Sequence, residues 1–115
     1  MQNIQQEELK RMITDADTAV INVLPQEEYE KRHIPGTINV PVQEGNFVRE
    51  VESKIGGKDM PVVVYCASTD CDASEKAARK LEESGFSKVR DYAPGVKGWE
   101  ESGNPVEGRE AKQTT

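Results

Sequence analysis

The sequence has few of the residues that bind transition metals. It contains one histidine and two cysteines in 115 residues. A structural zinc site usually takes four Cys or His ligands, and His33, Cys66 and Cys71 fall short of that number. No metal is therefore expected. Two cysteines are also too few for the disulfide framework of a small secreted domain, and in an intracellular chain such thiols are reduced or redox-active.

Long hydrophobic runs and an excess of positive charge are missing as well. No apolar stretch approaches the roughly 18 residues of a membrane-spanning helix. The segment Met1–Lys10 has neither the basic nor the apolar part of a signal peptide. The 15 Lys and Arg are outnumbered by 21 Asp and Glu, which gives a net charge of −6. Nucleic acids and anionic membranes bind clustered positive charge. We therefore expect a cytoplasmic protein that binds neither.

The composition fits one small globular domain with a thin core. Hydrophobic residues make up 35% of the chain and charged residues 31%, and the mean hydropathy is −0.74. A chain of this length has room for a single core. We predict that the domain spans residues 1–107, and that the polar residues 108–115 form a flexible tail.

Strand and helix patterns alternate along the chain. Strands are predicted at Ile4 (a short entry strand), Ala19–Val23, Thr37–Val40, Pro61–Tyr65 and Lys88–Tyr92. Helices are predicted at Gln6–Thr14, Gln26–Lys31, Phe47–Ile55, Ala73–Glu83 and Val96–Ser102. This alternation predicts an α/β fold, a three-layer sandwich with a small, mostly parallel central sheet and helices on both faces.

The segment Pro61–Ser74, PVVVYCASTDCDAS, places a cysteine at the end of a buried strand. Val62–Tyr65 is a continuous apolar run, typical of a strand buried on both faces of a parallel sheet. Cys66 then lies between this strand and the next predicted helix, where open α/β sheets bind ligands. Loop amides curling around the strand end, together with the helix dipole, would stabilise a thiolate. We therefore predict that Cys66 is a nucleophile.

Three segments, in the right order and spacing, resemble the rhodanese (thiosulfate sulfurtransferase) family in its single-domain form. They are Glu27–Glu30 followed by His33–Pro41, Val63–Cys66, and Gly95–Trp99. The resemblance covers about Ile4–Glu107. It implies the rhodanese-like α/β fold and an enzyme, a sulfurtransferase that needs no cofactor.

The resemblance also implies a persulfide mechanism. Cys66 would take sulfane sulfur from a small donor such as thiosulfate and pass it to a thiophilic acceptor, cyanide or a thiol. An acceptor protein thiol is a further candidate partner. Catalysis is assigned to Cys66, and the loop that would bind the substrate consists of Ala67, Ser68, Thr69, Asp70 and Cys71. Its amides would also stabilise a persulfide anion and departing sulfite.

The loop departs from the family pattern because it carries acids where many members carry Arg. Carboxylates at Asp70 and Asp72 disfavour an anionic sulfur and repel dianionic thiosulfate. We interpret Asp72 as a helix N-cap whose side chain binds helix amides, with Glu75 completing a capping box. Asp70 is either an exposed carboxylate or a selector for a cationic or neutral acceptor. Asn22 stands where the family usually has a charged Asp.

Cys71 leaves two interpretations open. It is either a small residue that packs under the loop or a resolving thiol that pairs with Cys66. The second suits the alternative function, a catalytically weak interaction or redox-sensing module. Phosphatases and arsenate reductases of related fold need C-x5-R, and Asp72 occupies the Arg position, which excludes them. We interpret His33 and Trp99 as structural residues.

Overall fold

The computed structural model describes residues 2–15, 17–43 and 45–110. The strands are β1 (Gln2–Asn3), β2 (Ala19–Asn22), β3 (Ile38–Asn39), β4 (Val62–Tyr65) and β5 (Val89–Tyr92). The helices are α1 (Gln6–Ile13), α2 (Gln26–Lys31), α3 (Phe47–Ile55), α4 (Ala73–Glu83) and α5 (Gly95–Glu101). The predicted alternation is confirmed, and most boundaries agree to within a residue or two.

The strands form one parallel sheet with the order β1-β5-β4-β2-β3. From β2 the chain passes outward to β3, returns across β2 to β4, and then continues outward to β5 on the other side. The direction of winding therefore reverses between β2 and β4. In open α/β sheets, ligands bind at the carboxyl ends of the strands at such a point.

Side chains of the central strand β4 point alternately into two apolar layers. Val62 and Val64 pack in the layer that contains residues of α3 and α4, namely Phe47, Val51, Ala77, Ala78 and Leu81. Val63 and Tyr65 pack in the layer that contains residues of α1 and α5, namely Leu9, Val96 and Trp99. Burial on both faces explains why β4 is a continuous apolar run rather than an alternating one. The predicted three-layer sandwich is confirmed.

A buried hydroxyl at the end of β4 fixes the turn between α2 and β3. The Tyr65 hydroxyl accepts a hydrogen bond from the Ile34 amide at 3.1 Å and lies 2.8 Å from Thr37 Oγ1. Thr37 Oγ1 also donates to the Ile34 carbonyl at 2.7 Å. Tyr65 is completely buried, so these partners satisfy polar atoms that water does not reach.

After α5 the chain returns to the end of α2. Glu107 and His33 form an isolated antiparallel bridge, with both backbone hydrogen bonds at 2.8 Å. The amides of Arg109 and Glu110 donate to carbonyls of α2 at 3.0 and 2.9 Å. Residues 108–110, the start of the predicted tail, therefore lie against α2. Residues 111–115, the rest of that tail, lie outside the described residues.

None of the helices in the described ranges is long and apolar enough to cross a membrane. The cytoplasmic location expected from the sequence stays a prediction.

Candidate active site

Cys66 directly follows the central strand at the point where the winding of the sheet reverses. Its carbonyl accepts a hydrogen bond from the Val96 amide at 2.9 Å, and the Tyr65 carbonyl accepts one from Val23 at 3.0 Å. The Cys66 side chain belongs to the α3 and α4 layer and has an exposure of 0%. The predicted position at the carboxyl end of the strand is confirmed. In this form the sulfur does not reach solvent.

Cys66 and Cys71 are joined by a disulfide across the loop. Their Cα atoms are 6.4 Å apart, within the separation of about 4.4–6.8 Å that is usual for disulfides. A turn inside the loop, closed by a hydrogen bond from the Cys71 amide to the Ser68 carbonyl at 3.1 Å, returns the chain to the strand end. The structure therefore favours the pairing interpretation of Cys71 over the packing of a free thiol.

The polar atoms around Cys66 Sγ are oxygens. Sγ lies 3.4 Å from the Cys71 carbonyl oxygen, 3.7 Å from Ser74 Oγ and 3.9 Å from the Ser68 carbonyl oxygen. Among the described residues, no loop amide donates a hydrogen bond to this sulfur. The predicted nest of amides is therefore not formed while the disulfide is closed.

The N-terminus of α5 binds the backbone of the cysteine loop. The amides of Val96 and Lys97 donate to the carbonyls of Cys66 and Ala67, both at 2.9 Å. This contact requires glycine at position 95, because a Cβ atom there would lie 2.5 Å from the Cys66 carbonyl oxygen. Gly95 also has a φ of 66°, in the left-handed region that other residues avoid. The helix end therefore holds the first part of the loop in place.

Two buried polar residues that were not predicted from the sequence follow Cys66: Ser74 lies 3.7 Å from its sulfur, and Asp91 is hydrogen-bonded to Ser74. Ser74 on α4 is 2% exposed and Asp91 on β5 is 5% exposed. Burial raises the pKa of Asp91 above its ordinary value of 3.8, a hydrogen bond from Ser74 partly offsets this rise, and Glu75 adds to it. Asp91 Oδ1 is buried and has no hydrogen-bond partner. Cys66, Ser74 and Asp91 thus form a buried polar chain next to the sulfur.

The acids of the loop lie at the surface. Thr69 and Asp70 are exposed, whereas Ala67 and Ser68 are half-buried. Asp72 occupies the N-cap position of α4, but its side chain makes no capping hydrogen bond. Its carboxylate instead pairs with Lys76 at 3.3 Å and is 73% exposed. The predicted capping role of the Asp72 side chain is therefore wrong.

The predicted capping box fails at its second residue too. Glu75 pairs with Arg79, at 2.6 Å, on the exposed face of α4. Side chains four residues apart on a helix are neighbours. Asp72 and Glu75 therefore each form an ion pair with a basic residue one turn further along the helix.

A cleft of about 500 Å³ lies beside the loop. Ala67 and Ser68 form one wall. The charged side chains on the other walls are Glu28, Lys31, Arg32, Lys97, Glu100, Glu101 and Glu110. Lys31 pairs with Glu28 at 3.5 Å and Arg32 with Glu100 at 3.2 Å. Lys97 is the lining cation without an ion pair in the described residues, so it is the one available to an anionic ligand.

The residues interpreted as structural have structural partners. His33 stacks on Tyr29 with ring centroids 3.9 Å apart, and its Nδ1 lies 2.7 Å from the Tyr29 carbonyl oxygen. Trp99 is 4% exposed, and its indole N–H donates to the Pro105 carbonyl at 2.8 Å. Both interpretations are confirmed. Among the described residues, no group of three or more His, Cys, Asp or Glu side chains is arranged to hold a metal ion.

A profile of the rhodanese-like domain family matches residues 5–102. The chain belongs to the rhodanese family. The chain is 32% identical over 90 residues to a Bacillus subtilis protein named provisionally as the sulfur carrier protein YrkF; the match covers 78% of this chain and 45% of that protein. It is 34% identical over 95 residues to the uncharacterized Escherichia coli protein YibN, covering 80% of this chain and 62% of YibN. The chain thus spans about half the length of these relatives.

Solved structures show the same fold. A thiosulfate sulfurtransferase from Pseudomonas aeruginosa superposes with a TM-score of 0.81 at 23% identity, covering 97% of the present chain and 21% of the other. An Escherichia coli rhodanese determined with anions gives a TM-score of 0.63 at 29% identity, covering 79% of this chain and 98% of the other. The predicted family resemblance and fold are confirmed.

Asn22 replaces the charged residue that the family resemblance leads one to expect. It is fully buried, and its Oδ1 accepts a hydrogen bond from the Leu24 amide at 2.9 Å. The neutral amide of Asn22 therefore binds the backbone at the end of β2, next to Tyr65 in the register of the sheet.

Proposed function

We propose that this rhodanese is a sulfurtransferase in which Cys66 carries sulfane sulfur as a persulfide. The observation that carries the proposal is the position of Cys66, at the carboxyl end of the central strand, where the winding of the sheet reverses. Membership of a family that includes sulfurtransferases, and the likeness to a provisionally named sulfur carrier, support it.

The proposed chemistry has two steps. The Cys66 thiolate attacks the outer sulfur of thiosulfate, the S–S bond of thiosulfate breaks, and sulfite leaves with the bonding electron pair, so that Cys66–S–S⁻ remains. A nucleophilic acceptor, cyanide or a thiolate, then takes the outer sulfur and the Cys66 thiolate returns. We assign substrate binding to the loop residues Ala67, Ser68, Thr69, Asp70 and Cys71.

The loading step requires reduced protein. In the disulfide form Cys66 has no thiolate, and its sulfur is 0% exposed. Reduction frees Cys71 from the strand end, and the middle of the loop, which is already exposed at Thr69 and Asp70, can then move outward. The cleft beside Ala67 and Ser68 would admit the sulfur donor.

The same disulfide favours a second candidate function, a redox-sensing module in which closure of the loop is the signal. Such a module would cycle between dithiol and disulfide without binding sulfane sulfur.

Intact-mass measurement separates the two. The reduced protein is incubated with thiosulfate or inorganic polysulfide and desalted. A gain of about 32 Da, the mass of one sulfur, that is absent from Cys66→Ala supports the sulfurtransferase. No gain from either donor, with a reversible loss of about 2 Da on oxidation, would refute it in favour of the sensor.

A further inference from the structure

Building on the proposed persulfide, we infer that Cys71 discharges it inside the protein, releasing hydrosulfide and closing the Cys66–Cys71 disulfide. The activity is a thiol-dependent reduction of sulfane sulfur to sulfide, in addition to transfer to an external acceptor.

The first observation is that the loop already brings the two cysteines together. The structure joins them in a disulfide with Cα atoms 6.4 Å apart, and the turn between Ser68 and Cys71 holds this geometry. Release of the outer sulfur as hydrosulfide needs a thiolate that reaches the inner sulfur of the persulfide, which is Cys66 Sγ itself. Cys71 meets that requirement without rearrangement of the strand. A nucleophile held in place also gains the rate advantage of an intramolecular reaction.

The second observation concerns access for external acceptors. Cys66 is 0% exposed when the loop is closed. The carboxylate of Asp70 is exposed within the loop, and it repels an anionic acceptor such as cyanide. Cys71 is half-buried within the loop and does not have to pass this charge. The arrangement therefore favours attack on the persulfide by the Cys71 thiolate over attack by an anion from solvent.

The step balances in atoms and electrons. The persulfide anion Cys66–S–S⁻ takes up a proton from solvent and Cys71 gives one up to solvent. The Cys71 thiolate then attacks Cys66 Sγ of Cys66–S–SH. The bond between Sγ and the outer sulfur breaks, and the outer sulfur leaves as HS⁻ with the electron pair and its proton. The two cysteines are oxidised to the disulfide, and the sulfane sulfur is reduced to sulfide. A dithiol reductant then regenerates both thiols and is itself oxidised to a disulfide.

The test is a single turnover without added thiol. Wild-type protein is reduced, desalted and mixed with one equivalent of thiosulfate. Intact mass is followed, and HS⁻ is trapped with a bimane reagent. We expect the gain of about 32 Da to be transient and to give way to a mass about 2 Da below that of the reduced protein, with about one HS⁻ released per chain.

Cys71→Ser is the decisive variant, and Cys71→Ala is the second in case the first does not fold. Each variant is first loaded with excess thiosulfate or polysulfide until the gain of about 32 Da is complete, so that a loss of substrate binding at position 71 slows loading only. The loaded variant should then release HS⁻ at least about 100-fold more slowly than loaded wild type. A dithiol added afterwards should discharge the stored persulfide, which confirms that it was formed.

The outcomes distinguish this inference from the proposed function. If wild type keeps the added sulfur and releases no HS⁻, or if the Cys71 variants release it as fast as wild type, Cys71 does not discharge the persulfide, and the sulfurtransferase proposal stands. If wild type and the variants all fail to gain sulfur, the persulfide itself is refuted and the inference falls with it.

Discussion

Replacing Gly95 with alanine tests whether α5 holds the cysteine loop in place. The new Cβ atom would lie 2.5 Å from the Cys66 carbonyl oxygen and 2.7 Å from both the Ala67 carbonyl carbon and the Ser68 nitrogen. All three are backbone atoms, so the side chains cannot relieve the contact. Either the loop or the first turn of α5 must move, and the hydrogen bonds from Val96 and Lys97 to the loop carbonyls lengthen.

The cost can be worked from these contacts. A non-glycine residue at a φ of 66° costs about 1–2 kcal/mol. Weakening two backbone hydrogen bonds adds about 0.5–1.5 kcal/mol each. We therefore expect Gly95→Ala to lower the free energy of unfolding by about 2–5 kcal/mol.

Gly56→Ala is the matched control. Gly56 ends α3 with a φ of 81°, but a Cβ atom there would meet nothing within 4 Å. The free energy of unfolding of Gly56→Ala should fall only by the cost of a positive φ for alanine, about 1–2 kcal/mol.

The assay is urea denaturation of both variants, with the disulfide closed in each, together with the rate of Cys66 alkylation after reduction. We expect Gly95→Ala to be less stable than Gly56→Ala by about 1–3 kcal/mol, from the hydrogen-bond part alone, and to be alkylated faster than wild type. Equal stability of the two variants, with unchanged alkylation, would refute the claim that α5 fixes the loop.

Three further predictions concern buried polar groups and the charge of the loop. Tyr65→Phe should cost about 1–3 kcal/mol in denaturation because it leaves the buried Ile34 amide unpaired; a loss no larger than that of Tyr29→Phe, whose hydroxyl bonds only the Thr37 carbonyl, would contradict this. Burial raises the pKa of Asp91 above its ordinary value of 3.8. Between pH 3.8 and the higher pKa of the folded state, the folded protein therefore holds a proton that the unfolded protein has lost. The free energy of unfolding consequently falls as the pH rises through this range. The Asp91→Asn side chain is neutral at every pH, so this variant should be more stable than wild type at pH 7, and by a smaller margin below pH 3.8. Urea midpoints measure the difference. A stability difference that does not change with pH would contradict the prediction. Asp70→Arg should lower the thiosulfate concentration that half-saturates sulfur loading, whereas Asp59→Arg, at the opposite end of β4, should not. Equal effects of the two variants would show that the net charge of the protein, and not the charge of the loop, affects loading.

Local patterns were sufficient to predict the framework of the site. The run Val62–Tyr65 is apolar because β4 is buried on both faces, and the signals that end it and begin α4 lie within the same short segment. The position of Cys66 between them follows from these neighbours alone. That part of the site depends on residues close in sequence, and the sequence therefore contained it.

The surroundings of the sulfur depend on contacts between distant segments and were not predictable in the same way. In the sequence Ser74 reads as an ordinary residue of the first turn of a helix. Asp91 was a better signal, since it is a carboxylate within a strand, in register with the buried Val64. Only the packing of α4 over β5 shows that Ser74, next to the Cys66 sulfur, also meets Asp91.

The Asp72 error has a more local cause. Asp72 and Glu75 have the residue types and spacing of a capping box, and Asp72 does stand at the N-cap position of α4. Its backbone, however, adopts φ −97° and ψ 3° rather than the extended conformation of a capping residue. The carboxylate instead forms an ion pair with Lys76, four residues further on.

The two ends of the cysteine loop are held by different elements, and this decides which cysteine moves on reduction. The carbonyls of Cys66 and Ala67 are bonded to α5, and the Cys66 side chain is packed in the α3 and α4 layer. Cys71 also packs against this layer, but it is only half-buried, and its amide bonds to Ser68 within the loop, next to a stretch already exposed at Thr69 and Asp70. Breaking the disulfide therefore leaves Cys66 at the strand end and allows Cys71 to swing away. In the proposed mechanism, a fixed nucleophile with a mobile partner lets one loop expose the sulfur for loading and close over it for discharge.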